Sequence, residues 1–471
     1  MPKITFMGAG STVFAKSILG DSLCSPALNE SHLALYDIDA NRLKESVMMM
    51  EVINRNVNQG RAKITGHLGV ANRRQALAGA NYVVNAIQVG GYKPSTVIDF
   101  KIPKKYGLEQ TIADTLGIGG IFRSLRTIPV VLDFAHEMEE VCPNAWFLNY
   151  VNPMAMITGA LLEGSGIRSV GLCHSVQGCA KHLLRELGIK PKGKVQWHIA
   201  GINHQAWLLE ITDDGKDLYP LIKKVAARKL AEIHQAGGGK KVFAAAQKLW
   251  FDKQIKWWEQ PDHIGHVTRD MVRLTMMLNL GYYITESSEH SAEYMPYWIK
   301  KTHPELIDEF NIPLDEYPRR CINQIAEWKK RSHEIVKNPD LTHKRGEEFG
   351  SHIMEAIETG TPIRVHGNVM NTGLITNLPA RACVEVPCLV DMNGVQGCYV
   401  GDLPEQLAAM NRTNINVQLL TIDAVLKRKR EHIYHAAMLD PHTAAELTID
   451  EIRDICDDLI AAHGHYLPKF K

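Results

Sequence analysis

The chain has 471 residues, 45% of them hydrophobic and 22% charged, which is enough apolar material for a sizeable core and excludes an intrinsically disordered polypeptide. Lysine and arginine number 53 against 52 acidic residues, a formal charge of +1 that offers no field for collecting nucleic acid or an anionic membrane. The N-terminus has no basic segment followed by an apolar one, and no stretch reaches the roughly 18 apolar residues of a membrane span, so a cytoplasmic protein is expected. Nine cysteines, an odd number without CxxC spacing, are expected to be reduced thiols.

Residues 3–8 read as a short apolar strand running into a glycine turn, and Phe14, Ile18 and Leu19 then repeat at helical spacing. Residues 32–36 form a second strand ending in Asp37, and residues 40–54 are helix-forming, with Leu43, Val47 and Met50 on one face. Further strands are expected at 82–87, 146–150 and 169–173, with helices between them such as 126–141. This alternation predicts an α/β protein with a Rossmann-like doubly wound parallel sheet, of the kind found in lactate and malate dehydrogenases, over residues 1–205. Beyond that point Gly237-Gly-Gly, a Trp-rich stretch and long helical runs mark a second α+β lobe, 206–471. It holds short strands within 361–400 and amphipathic helices at 404–435 and 448–463. The Trp257-Trp258 pair reads as core or subunit interface, and the basic run 427–430 as a solvated helix face.

Gly8-Ala9-Gly10-Ser11-Thr12-Val13 follows a strand and opens a helix, the context in which a glycine pattern cradles a dinucleotide. Gly8 permits the tight turn and Gly10 the close approach of a pyrophosphate, whereas Val13 replaces the third small residue and is expected to hold the helix slightly away from the strand. Asp37 lies 27 residues after Gly10, where a carboxylate accepts from both ribose hydroxyls and repels a 2′-phosphate, favouring NAD over NADP. Asn149-Tyr-Val-Asn152-Pro153-Met154 follows a strand at the carboxyl edge of the sheet, where its amides could grip cofactor or substrate. The segment after it lacks the Asp-x-x-Arg pair of a hydroxy-acid dehydrogenase. Instead, Cys173-His174-Ser175-Val176 and Gly201-Ile-Asn203-His204 stand at two loop entries of the same edge. Cys173 and His204 are 31 residues apart, so spacing alone does not pair them; together they could hold one divalent ion with positions open for a substrate's hydroxyls.

These segments, with 110–120, Asn377-Leu-Pro and Val384-Glu-Val-Pro, resemble glycoside hydrolase family four, the NAD-dependent glycosidases, along essentially the whole chain. Cys-His-Ser-Val at 173–176 and the run Thr285 to Tyr294 resemble its α-galactosidase (melibiase) branch. The resemblance implies NAD and a divalent metal, usually Mn2+. Its implied chemistry is hydride removal from C3 of the sugar, loss of the C2 proton to a base, elimination of the aglycone, water addition at C1 and return of the hydride. It implies Cys173 and His204 as metal ligands, Asn152 as a substrate-binding residue, and Asp114 as a carboxylate near the metal and O2 or O3. His174 matches the position of the leaving-group acid, although it could instead contact a sugar hydroxyl. Tyr294 is the first candidate for the C2 base and His290 the second; equally, Tyr294 could be a core aromatic and Glu286, Glu289 and His290 a solvated loop. The expected activity is hydrolysis of unphosphorylated α-galactosides by a homodimer or homotetramer. The alternatives are an α-glucoside or α-uronide specificity within the family, a plain NAD-dependent dehydrogenase, and a noncatalytic NAD sensor.

Overall fold

The computed structural model describes residues 1–260 and 263–471; the side chains of Trp257 and His333 also lie outside the described residues. Six strands build the first half: β1 (Lys3–Met7), β2 (His32–Asp37), β3 (Lys63–Leu68), β4 (Tyr82–Asn85), β5 (Trp146–Asn149) and β6 (Arg168–Gly171). All pair in parallel, in the order β3-β2-β1-β4-β5-β6, the arrangement that binds dinucleotides where the strand order reverses. Helices cover both faces, so β4 and β5 are buried at every position and read as apolar runs that end in Asn85 and Asn149. The sequence reading did not find β3, because its residues are mostly exposed or half-buried at the sheet edge and carry little apolar pattern.

The second half adds β7 (Val195–Ile202), β8 (Gln205–Asp213), β9 (Lys216–Asp217), β10 (Tyr283–Ile284), β11 (Ile363–Met370), β12 (Cys383–Asp391) and β13 (Gly394–Gly397). β11 pairs antiparallel with β6, and β12, β7, β8 and β10 continue outward, so the described residues form one continuous mixed sheet of thirteen strands. The β7–β8 hairpin spans the 205/206 division: β7 precedes it and β8 runs from it into the segment read as the second α+β lobe. The helix expected over 404–435 is two, Glu405–Lys427 and Glu431–Leu439, because Arg428 adopts a left-handed φ of 55° that ends the first. Helix Ile449–His463 begins where expected, under a Thr448–Glu451 capping box. Cys383 and Cys388 are buried strand thiols, and every described cysteine is free. Trp258 is exposed, with Lys256 Nζ over its ring. Among the described residues no helix is long and apolar enough to cross a membrane.

Candidate active site

The nucleotide end forms where β1 runs out. Gly8 has a φ of 89°, and a Cβ there would stand 2.8 Å from the Ala86 carbonyl carbon, so only glycine satisfies both the turn and the approach of the next strand. Gly10 N donates to Asp37 Oδ2 at 2.6 Å, which sets the acid at the end of β2 directly beside the turn. Ser11 is exposed, while Thr12 is buried and accepts from Ser46 Oγ at 3.0 Å. Val13 is 63% exposed, so it does not wedge the helix Thr12–Cys24 away from the strand as its size suggested. Asn149 is fully buried. Its Nδ2 donates to Val151 O and Thr158 Oγ1, and its Oδ1 accepts from Asn85 Nδ2 and Val151 N. That amide shapes the turn after β5 and presents no free group to a cofactor. The cradle, the acid beside it and the outward-facing Val13 fit an NAD-sized dinucleotide.

The metal-ligand candidates come together through strands from the far end of the chain. Cys173 follows β6 and His204 sits in the turn between β7 and β8, while β11 and β12 stand between these two strands. One row of paired residues, Gly171, Asn368, Glu385 and Gly201, crosses all four strands. Three strand spacings make this row roughly 14 Å long. Asn368 Nδ2 donates to Gly171 O at 3.3 Å and Glu385 Oε1 at 3.2 Å, and a Cβ on Gly171 would meet Asn368 Cβ at 2.9 Å, so glycine allows the wedge to seat. Above this row the two loops bend together: ligand atoms of Cys173, His204 and Glu286 lie within 4.8 Å of one another. The two-residue hairpin turn holds His204 at a φ of 62°, a left-handed conformation that is strained for a histidine and retained here at the donor cluster.

Glu286 is the third donor, with Oε2 3.4 Å from His204 Nε2. Sequence reasoning left it unassigned within the run Thr285 to Tyr294, which was read for the C2 base and holds three glutamates. The structure separates them, because Glu289 is taken by Arg320 at 2.6 Å while Glu286 faces the histidines. Burial opposes ionisation of Glu286, but His204 and His290 hold its carboxyl down at about 2. Burial likewise disfavours a charged His204, yet Cys173 and Glu286 beside it raise its imidazole to about 10. The negative potential that draws a proton onto His204 is the potential a divalent cation would occupy, and the cation would displace that proton. A thiolate, an imidazole and a carboxylate so placed fit one divalent ion with positions left for substrate oxygens.

Asp114 and His290 stand next to this cluster. Asp114 Oδ2 accepts from Asn152 Nδ2 at 3.3 Å and its Oδ1 from Thr115 Oγ1 at 2.8 Å, with His290 Nε2 at 3.7 Å from Oδ1. Burial would raise the Asp114 carboxyl, but His290 and the Arg123 guanidinium bring it well below the usual carboxylate range. Arg123 was not found from sequence, where it reads as one more basic helix residue; its Nε donates to Asn152 O at 3.1 Å and its Nη1 to Tyr317 OH at 3.3 Å. Glu293, also unforeseen, accepts from the backbone N–H groups of Thr111, Ile112 and Ala113 and so fixes the loop that carries Asp114. Burial pushes its carboxyl up to about 7.

His290 Nδ1 lies 2.7 Å from Ser287 Oγ and 3.8 Å from Glu286 Oε1, and its ring meets that of His204 edge-on at 4.9 Å. Tyr294 is fully buried, with its hydroxyl 3.2 Å from His204 Nδ1, and burial raises its phenol well above the ordinary value. His174 is half-exposed, 2.8 Å from Glu348 Oε2, and that hydrogen bond raises its imidazole. Two surface cavities of about 550 and 490 Å3, one along Lys181 to Val195 and the other across Trp197 and Arg364, contain none of these residues. Converging donors locate this site.

The site thus joins a dinucleotide turn, a three-donor cation cluster and neighbouring histidines at one sheet edge, the parts needed for redox-assisted acid–base chemistry on a polyol. Residues 3–189 match the model of the family 4 glycosyl hydrolases and residues 199–443 that of the family 4 glycosyl hydrolase C-terminal domain. The chain belongs to glycosyl hydrolase family 4. An α-galactosidase of Bacillus subtilis (strain 168) is 55% identical over 471 residues, covering 100% of both chains. A second relative, an α-galactosidase of Rhizobium meliloti (strain 1021), is 33% identical, covering 99% of this chain and 89% of its own. The fold matches the crystal structure of a 6-phospho-α-glucosidase from gut microorganisms in complex with NAD and Mn2+, with a TM-score of 0.74, 20% identity and 100% of both chains covered.

Proposed function

We propose that the chain is an α-galactosidase that hydrolyses unphosphorylated α-galactosides of the melibiose or raffinose type with NAD and Mn2+, acting in the cytoplasm as a homodimer or homotetramer. The observation that carries this reading is the Cys173–His204–Glu286 donor set at the carboxyl edge of a dinucleotide-binding sheet. The α-galactosidase names of the 55% and 33% identical relatives support the galactoside. In this reading residues 1–205 hold the cofactor and residues 206–471 complete the substrate site.

Gly8, Gly10, Ser11, Thr12 and Val13 would line the pyrophosphate turn, with Asp37 accepting from the ribose hydroxyls. Cys173, His204 and Glu286 would hold the cation. When bound, NAD supplies a hydride acceptor for C3 and the divalent ion a Lewis acid for O2 and O3. Asn152 and Asp114, joined at 3.3 Å, would grip the sugar hydroxyls beside the cation. Of the two candidates for the C2 base, the geometry favours His290. It stands between Asp114 and Glu286 next to the donor cluster, whereas the Tyr294 hydroxyl is engaged by His204 Nδ1 and would orient that ligand. His174 would pass a proton to the departing glycosidic oxygen.

The test is release of 4-nitrophenol from 4-nitrophenyl α-galactoside by chelator-stripped protein under reductant, with NAD+ and Mn2+ restored singly and together. Release is expected only with both, and without net NADH. Accumulation of NADH without cleavage would make the protein a dehydrogenase.

A further inference from the structure

His174 carries its chemistry on a ring that its own helix does not hold. It is the residue before helix Ser175–Leu187, its side chain is 55% exposed, and its position makes no side-chain cap for that helix. What holds it is Glu348, whose Oε2 lies 2.8 Å from Nε2, and an aromatic flank in which Tyr150 and Phe14 have ring centroids 6.0 and 6.3 Å from the imidazole.

The segment that carries Glu348 is anchored on several sides. The segment before it docks on helix Thr12–Cys24, where Asp21 Oδ1 lies 2.6 Å from His343 Nε2 and accepts from Gly346 N at 2.7 Å. Gln177 Nε2, from the helix that His174 precedes, donates to Glu347 O at 2.8 Å. Gly350 N donates to Tyr150 OH at 2.8 Å, in the ring that flanks His174, and Ser351 Oγ donates to Glu348 O at 2.9 Å. Neighbouring residues on both sides of Glu348 are therefore anchored to elements of the dinucleotide half and to the start of the His174 helix. A carboxylate carried on a backbone anchored in this way and bonded to one nitrogen fixes the ring plane and directs the other nitrogen, Nδ1.

We infer that Glu348 is a positioning residue for His174, so that the two act as a pair in delivering the proton to the leaving oxygen. This rests on the assignment of His174 as the leaving-group acid. As the C1–O bond breaks, its electron pair passes to the oxygen, which takes the Nδ1 proton of the imidazolium, while the pair left on C2 by proton removal forms the C1=C2 bond. Nε2 keeps its hydrogen on Glu348. When water adds, hydroxide joins C1 and the remaining proton returns to Nδ1.

The pair has a signature that a general packing role lacks, because only a poor leaving group needs the proton. Melibiose, which releases a sugar alkoxide, should depend on Glu348, and 4-nitrophenyl α-galactoside, which releases a stable phenolate, should not. We expect Glu348→Gln and Glu348→Ala to lower kcat on melibiose by roughly 10- to 100-fold, below the full loss of general acid catalysis because His174 itself remains. Activity on the nitrophenyl substrate should change by less than about threefold, because its phenolate leaves without a proton. His174→Ala is the reference. If His174→Ala loses melibiose selectively and neither Glu348 variant does, the pairing is wrong and the acid assignment stands. If His174→Ala lowers both substrates equally, the acid assignment itself falls. Equal loss on both substrates in the Glu348 variants alone would reduce Glu348 to a structural contact and overturn the proposal.

Discussion

Glu286 converts a thiol and an imidazole, which alone make an incomplete site, into a set of three converging donors. Replacing Glu286 with Gln keeps the shape but removes the negative charge that faces His204 and His290. Mn2+ affinity should fall by 10- to 100-fold or more, since even partners behind a ligand typically contribute that much. NAD affinity should stay near the parent value, because Gly8, Gly10 and Asp37 lie at the other strands' ends. Titration of the variant with Mn2+ and NAD+ checks both; unchanged Mn2+ affinity would remove Glu286 from the donor set. At this scale Cys173 and His204 were legible, because each stands in a short motif at a loop entry. Glu286 was not separable from Glu289, since the choice depends on Arg320 arriving from a different helix. The placement of His290 and Tyr294 was likewise open in sequence; in the fold the Tyr294 hydroxyl lies 3.2 Å from His204 Nδ1, while His290 stands between Asp114 and Glu286.

Among elements, the joint of helices Val97–Lys105, Gly117–Val141 and Ile449–His463 depends on one buried charge cluster. Arg126, 1% exposed, donates to both carboxylate oxygens of Asp99 at 3.0 and 2.5 Å, and His463 Nε2 lies 2.9 Å from Asp99 Oδ1 with its ring stacked on Phe122. Removing the carboxylate strands a buried guanidinium, so Asp99→Ala should cost about 3–5 kcal/mol. That would appear as a lower urea midpoint with an unchanged slope. A loss below about 1 kcal/mol would mean that water reaches Arg126 and the cluster is not closed. Nothing in the sequence joins Asp99 to His463, 364 residues later. In contrast, the start of helix Ile449–His463 was readable, because Thr448 and Glu451 supply its cap from within four residues. The break at Arg428 escaped the sequence reading, since an arginine carries no signal for a left-handed φ.

At the scale of the molecule, the parallel half does not end at a free edge. β6 pairs with β11, and helix Glu405–Lys427 packs on helices Gly117–Val141 and Met154–Gly164, with Ile422 lying against Gly159. A fragment of residues 1–194 would expose the β6 edge and the apolar faces of two helices. It should accumulate as aggregate, whereas the full chain does not; recovery of a monomeric NAD-binding fragment would show that the dinucleotide half folds alone.

The sequence by itself determined the α/β class, the strand-turn-helix opening with Asp37, and the two loop-entry motifs that carry Cys173 and His204. Each of these rests on residues that are neighbours along the chain or repeat with a helical or strand period. Only the tertiary structure decided that β11 and β12 enter between β6 and β7, that Glu286 joins Cys173 and His204, and that Glu348 meets His174. Those contacts form when burial of distant apolar faces brings the strands together. No local pattern encodes which distant polar group will face the gap.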